Sequence, residues 1–165
     1  MSSRDIEQVG SRRRKAPDAA LLERLAETGF LATEFGLHQQ AELIFSCLVR
    51  LKPGKPSPHI ALAMVQARRG RMESAIASLR EVIDKHPDSE LARAVLGTML
   101  VHIGDAEGRE LLEGVIARDI DADAVGVASS CVDQASVTTT VQSGTAEAPG
   151  VTGAVEYFRH YNVRA

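Results

Sequence analysis

The chain contains no tryptophan, only two cysteines, and aromatic residues at 4% of its 165 positions. Two cysteines are too few for a disulfide framework, so we expect reduced, mostly buried thiols in a cytosolic protein. No run of 18 apolar residues occurs, so we expect no membrane insertion. A net positive charge is also lacking. The formal net charge of −3 gives no general attraction to nucleic acid or to an anionic membrane.

The sequence also lacks the spacings that accompany catalysis or metal binding. Its five histidines are scattered, without His-x3-His or His-Glu-x-x-His, and no Gly-x-x-x-x-Gly-Lys phosphate loop is present. The neighbours of Cys47 are apolar, namely Ile44, Phe45, Leu48 and Val49. This setting predicts a core thiol rather than a nucleophile. We therefore expect no enzyme activity, no cofactor and no metal site.

What is present is a repeat. Gly36, Gly70 and Gly104 recur at intervals of 34 residues. The same step separates two prolines and two alanines, Pro53 from Pro87 and Ala41 from Ala75. Fixed periods of 20 to 50 residues mark repeat architectures, in which neighbouring units bury a continuous core. Such solenoids offer binding grooves more often than catalytic centres.

Composition and apolar spacing divide the chain into three parts. Residues 1–15 are polar and end in the basic cluster 12–15, which predicts a disordered tail; no apolar stretch follows, as a secretory signal would require. Apolar residues at helical spacing then predict three helix pairs, at about 20–53, 56–87 and 88–118, and a capping helix at 121–134. Residues 136–165 predict a flexible tail with a short amphipathic segment at 154–163.

The three units resemble tetratricopeptide repeats, whose pattern has Ala-x3-Phe in the second helix and a closing proline. The first unit has Ala41-x3-Phe45 and the second Ala75-x3-Leu79. In the third unit Arg109 falls on the small position, and deleting one residue restores the register by placing Gly108 there. The resemblance covers about residues 20–118. It implies an all-α, tetratricopeptide-like solenoid of three helix pairs plus a C-terminal capping helix.

A narrower resemblance concerns function. The size, the three degenerate repeats and the few aromatic residues are similar to small helical-repeat chaperones of bacterial type III secretion. The similarity to the Hrp-type secretion proteins rests on Ala41-Glu42, Pro53, Gly70, Ala75 and Gly104-Asp105. It implies a cytoplasmic chaperone in a Gram-negative bacterium. Its partner would be a helical segment of a needle, filament or translocator-type subunit, with or without a co-chaperone.

In this repeat family the first helices line the concave face. Positions 2, 5, 9 and 12 of the three units are twelve residues, and all but Glu23 and Ser57 are predicted to bind a partner: Ala26, Phe30, Thr33, Ile60, Met64, Ala67, Leu91, Ala94, Thr98 and Val101. None of them is basic, so the predicted surface suits an amphipathic helix rather than a peptide carboxylate. We expect affinity in the micromolar to nanomolar range for such a helix.

Three alternatives remain open at this stage. The apolar residues of the first helices could simply pack the repeats together. The solenoid could be a general scaffold or regulatory adaptor for a folded partner, unrelated to secretion. The segment 154–163 could fold back and occupy the groove, because a linker of 18 residues spans ~20–25 Å.

Overall fold

The computed structural model describes residues 18–138, which form seven α-helices and contain no strand. The helices are α1 (Ala19–Glu34), α2 (His38–Leu51), α3 (Pro56–Arg68), α4 (Met72–Lys85), α5 (Glu90–His102), α6 (Ala106–Arg118) and α7 (Ala122–Thr138). The first six pack as three successive pairs, each pair also contacts the next, and α7 packs against both helices of the third pair. The predicted all-α helical repeat with a seventh helix is confirmed.

Helix α7 is longer than the sequence predicted, since it ends at Thr138 rather than at Gln134. No proline or glycine stands between these two residues to stop it. The predicted N-terminal tail, 1–15, and the C-terminal segment, 154–163, lie outside the described residues.

The three turn glycines end the first helix of each pair in the same way. Gly36, Gly70 and Gly104 have positive φ angles of 73°, 76° and 79°. In each turn the amide after the glycine donates to a carbonyl five residues earlier: Leu37 to Ala32, Arg71 to Gln66 and Asp105 to Leu100. This is the Schellman pattern, which needs a left-handed residue at the glycine. The 34-residue step therefore repeats one helix-ending turn.

We expect Gly70→Ala to destabilise the fold by about 1–2 kcal/mol, because a left-handed backbone carries that penalty in an L-residue. Nothing lies within 4 Å of the added methyl group, so the whole effect comes from the backbone. Gly54→Ala is the matched control, since its site is equally open and its φ is not in that region. Urea unfolding followed by circular dichroism measures both. Equal midpoints for the two variants would contradict the assignment.

Small residues let the helices of each pair approach closely. A methyl group added at Gly108 would lie 2.5 Å from the Val101 amide nitrogen and 2.7 Å from the Gly97 carbonyl oxygen. Arg109 is exposed. The one-residue slip predicted in the third unit is therefore confirmed, because Gly108 occupies the position where α6 meets α5.

Ion pairs tie successive repeats together. Glu42 on α2 accepts hydrogen bonds from Arg69 and Arg71 at the α3–α4 turn. Arg80 on α4 donates to Glu107 on α6 at 2.5 and 3.1 Å. The hydrogen bonds from Arg71 and then Arg69 lower the pKa of Glu42, although its partial desolvation acts in the opposite direction. These contacts link the first pair to the second and the second to the third.

Candidate functional site

The structure buries most of the predicted partner surface. Seven of the ten predicted residues are buried: Ala26, Phe30, Thr33, Ile60, Met64, Leu91 and Ala94. The other three, Ala67, Thr98 and Val101, are half-buried. Ile60 is 1% exposed and Ala94 is fully buried, so a partner cannot reach either of them in this conformation. This burial fits the alternative in which these residues pack the repeats together, and their contact with a partner stays a prediction.

Close helix packing explains this burial. The small side chains of Ala26 and Ala94 let neighbouring helices close over them. The hydroxyls of Thr33 and Thr98 need no outside partner, because each donates to a carbonyl one turn earlier in its own helix at 2.9 Å. Helix α7 adds further cover where it packs on α5.

An open apolar pocket remains at the junction of the first two repeats. It has a volume of about 260 Å³ and lies between the start of α1, the end of α2 and the start of α3. Its floor is apolar and consists of Leu22, Ala26, Phe30, Phe45, Leu48 and Ala61. The rings of Phe30 and Phe45 stand 4.9 Å apart between centroids. Two of the predicted residues, Ala26 and Phe30, therefore line an opening to solvent.

Two prolines position the charged residues at the rim of the pocket. Pro53 cannot continue α2, and Pro56 at the start of α3 has the φ angle that a first helical residue needs. The loop between the helices is consequently short, and the Lys55 amide donates to the Lys52 carbonyl at 3.2 Å. Both lysines line the pocket together with Glu23 of α1. A cationic edge thus faces an apolar floor.

The two lysines of this rim can pair with a carboxylate of a partner. Within residues 18–138 neither Lys52 nor Lys55 forms an ion pair, whereas three arginines of the next repeat, Arg69, Arg71 and Arg80, all do. The first turn of α3 contains no acidic residue to offset them. The half-buried Glu23 is the carboxylate that shares the pocket lining.

Sequence reasoning missed the two lysines and the α2 residues of the floor. It counted positions on the first helices alone, whereas Phe45 and Leu48 come from the second helix of the pair. A signal did exist in the sequence. Three prolines within 53–58 predict a tightly constrained loop, and constrained loops hold binding side chains in place.

The prediction of a core thiol at Cys47 is wrong, because this side chain is exposed. Helix α2 buries a single stripe, formed by Ala41, Phe45 and Leu48, and Cys47 lies off that stripe. Apolar neighbours in sequence therefore did not mean apolar neighbours in space. Cys131 is half-buried, and desolvation raises the pKa of its thiol, which disfavours the nucleophilic thiolate.

The described residues offer no metal-binding cluster of three or more His, Cys, Asp or Glu side chains. None of the helices in that range is both long and apolar enough to cross a membrane.

The chemistry of the pocket suits an apolar group that lies beside two cations, Lys52 and Lys55.

The fold belongs to the tetratricopeptide class. The structure superposes on the crystal structure of the Sgt2 TPR domain from Aspergillus fumigatus with a TM-score of 0.58, at 17% identity, over 84% of this chain and 94% of that domain. In sequence it is similar to the human Tetratricopeptide repeat protein 34, with 33% identity over 89 residues. That match covers 54% of this chain and 16% of the human protein.

The particular family follows from the sequence. Residues 15–137 match the family of bacterial type III secretion proteins called HrpB1_HrpK, and the match spans the whole helical repeat. This chain belongs to that family. Its role is therefore related to type III secretion.

Proposed function

We propose that this protein is a non-enzymatic chaperone or adaptor of type III secretion. It would hold an amphipathic helix of an aggregation-prone needle, filament or translocator subunit before export. The observation that carries the proposal is the apolar pocket at the first two repeats of a secretion-family chain. Holding a client before export requires a cytoplasmic protein, which cell fractionation tests.

The free energy available from the pocket is too small to bind a client without further contacts. Burying one large apolar side chain contributes about 1.5–3 kcal/mol. Association costs roughly 4–15 kcal/mol before any surplus appears as affinity. A client bound at micromolar affinity must therefore make further contacts beside the pocket. Exposed apolar side chains of α1, such as Leu21 at 52% exposure, are available for this purpose.

The experiment is co-expression with each candidate subunit, measuring how much of the subunit stays soluble and co-purifies. We expect a subunit that is insoluble alone to become soluble with the wild-type chain. Ala19→Phe and Ser57→Phe place a ring at the pocket rim, where the residues are exposed and half-buried, respectively. Each should weaken the affinity for the client at least about tenfold, the loss of roughly one anchor.

Ala122→Phe is the matched control, because Ala122, like Ala19, is an exposed first residue of a helix but lies far along the chain from the pocket. It should bind the client as the wild type does. Substitutions at Met64 or Ala94 test nothing here, since glutamate at these buried positions would disturb the core. Unchanged capture by folded Ala19→Phe and Ser57→Phe would contradict the pocket as the client site.

The second candidate function is a scaffold for a folded partner, and one observation favours it. Six large apolar side chains of the first repeat are exposed: Leu21, Leu31, Phe35, Leu37, Leu43 and Leu51. Three of them, Leu31, Phe35 and Leu37, lie close together in sequence around the α1–α2 turn, and exposed apolar residues that form one patch mark interaction sites. A partner that is soluble without this protein, and still binds the Ser57→Phe variant, would favour the scaffold over the chaperone.

A further inference from the structure

We propose that the pocket selects by charge: it takes a large apolar side chain of a partner helix that carries a glutamate or aspartate beside it. The side-chain carboxylate would pair with Lys52 and Lys55 while the apolar group fills the floor. This inference rests on the proposed function and names the chemistry of the partner.

The size of the floor fits one large side chain. A closed apolar cavity of ~150 Å³ is enough to bind benzene. The pocket holds about 260 Å³, and of its floor residues Leu22 and Phe30 keep 6% of their surface exposed, whereas Phe45 and Leu48 lie deeper. A phenylalanine or leucine of a partner would therefore lose its contact with water without displacing any of these side chains.

The rim supplies the selectivity. Lysine stems cover apolar surface while their ammonium groups stay at the edge, so Lys52 and Lys55 can line the pocket and still meet a carboxylate. No internal carboxylate within residues 18–138 pairs with either of them, in contrast to Arg69, Arg71 and Arg80. Glu23 is the opposing charge of the rim, and it would repel a second carboxylate placed on the α1 side. The acidic residue of the partner should accordingly lie toward the α2–α3 loop.

The local charge is opposite in sign to the whole chain, whose formal net charge is −3. General electrostatic attraction would favour basic peptides, whereas the pocket rim favours acidic ones. The two expectations predict opposite preferences, so the experiment separates them.

The probes are two N-acetylated, C-amidated helical peptides of about four turns. Both have the same apolar stripe with a central phenylalanine, and the residues three and four positions from it are Glu in one and Lys in the other. Fluorescence anisotropy with the full chain measures their dissociation constants. We expect the Glu peptide to bind about tenfold more tightly, from two pairs of up to about fivefold each.

Lys52→Gln with Lys55→Gln should abolish that preference, and Lys85→Gln should keep it. Lys85 is the control because it is an exposed lysine paired with Glu81 on α4, outside the pocket. Raising the salt to 1 M, where the Debye length falls to about 3 Å, should also reduce the preference. A preference that survives the double substitution overturns the assignment to these lysines.

The other outcomes are separable. Equal affinity for the two peptides, or tighter binding of the Lys peptide, overturns the charge selectivity, although the proposed function survives if Ser57→Phe still blocks client capture. If only a peptide with a free C-terminal carboxylate binds tightly, the lysines recognise a chain terminus. That result would overturn the proposal that they pair with a glutamate or aspartate side chain. If a peptide of residues 154–163 displaces the Glu peptide, the pocket binds this segment of the same chain. That result would overturn the proposal of an acidic partner helix.

Discussion

Gly108→Ala is expected to lower the free energy of unfolding by about 3 kcal/mol, the upper part of the range for overpacking. The added methyl group would meet the Val101 amide nitrogen at 2.5 Å and the Gly97 carbonyl oxygen at 2.7 Å. Both are backbone atoms, which no side-chain rotation can move aside. Helix α6 would have to move away from α5 along their most tightly packed contact. Differential scanning calorimetry should record a fall in Tm of roughly 10 °C.

Gly114→Ala on the same helix is the matched control. Its methyl group would meet only the Arg118 guanidinium, at 3.6 Å, which is an ordinary van der Waals distance. Glycine in a helix interior is less stable than alanine by roughly 0.5–1 kcal/mol, so this variant should be more stable than the wild type. Opposite signs for the two substitutions are the expected result. A Gly108→Ala protein as stable as Gly114→Ala would mean that α5 and α6 do not pack in this register.

The same contact shows what the sequence could predict about the fold. The 34-residue step identified the turns at Gly36, Gly70 and Gly104, because only a left-handed residue closes them and glycine is the residue that adopts it freely. The slip to Gly108 was visible because the apolar register fails at Arg109. Both features follow from rules that act between residues close together in sequence, so a single sequence is enough to predict them.

The candidate site was less predictable because it depends on how closely the helices pack. Counting first-helix positions selected Ile60 and Ala94 as partner-binding residues, and the structure buries both. The small residues that made this face look like an apolar groove are the ones that let it close. The pocket, in contrast, combines the ends of three helices, α1, α2 and α3, with Lys52 and Lys55 from a proline-bounded loop. Periodicity along one helix carries no information on such a junction.

Glu90→Ala is the second substitution with a large expected effect. The Glu90 side chain is 5% exposed and begins α5, where its carboxylate accepts from Arg93 at 2.6 Å and from Arg118 at 2.9 and 3.1 Å. Arg118 is the last residue of α6, so this carboxylate joins the two ends of the third pair. Removing one member of a buried pair costs about 3–5 kcal/mol because the partner charge is left uncompensated.

We expect a smaller loss here, about 2–3 kcal/mol, because Arg118 is 42% exposed and water can solvate its charge when Glu90 is removed. The control is Glu81→Ala, whose pair with Lys85 spans 3.6 Å between side chains that are both at least 70% exposed. That pair should contribute under about 1 kcal/mol and should weaken further in high salt.

Urea unfolding of Glu90→Ala, of Arg118→Ala and of the variant with both substitutions completes a double-mutant cycle. A coupling energy near zero would contradict a carboxylate that fastens α6 to α5. A coupling well above that of an exposed pair is expected, because the Glu90 carboxylate is only 5% exposed and water screens its attraction to Arg118 less.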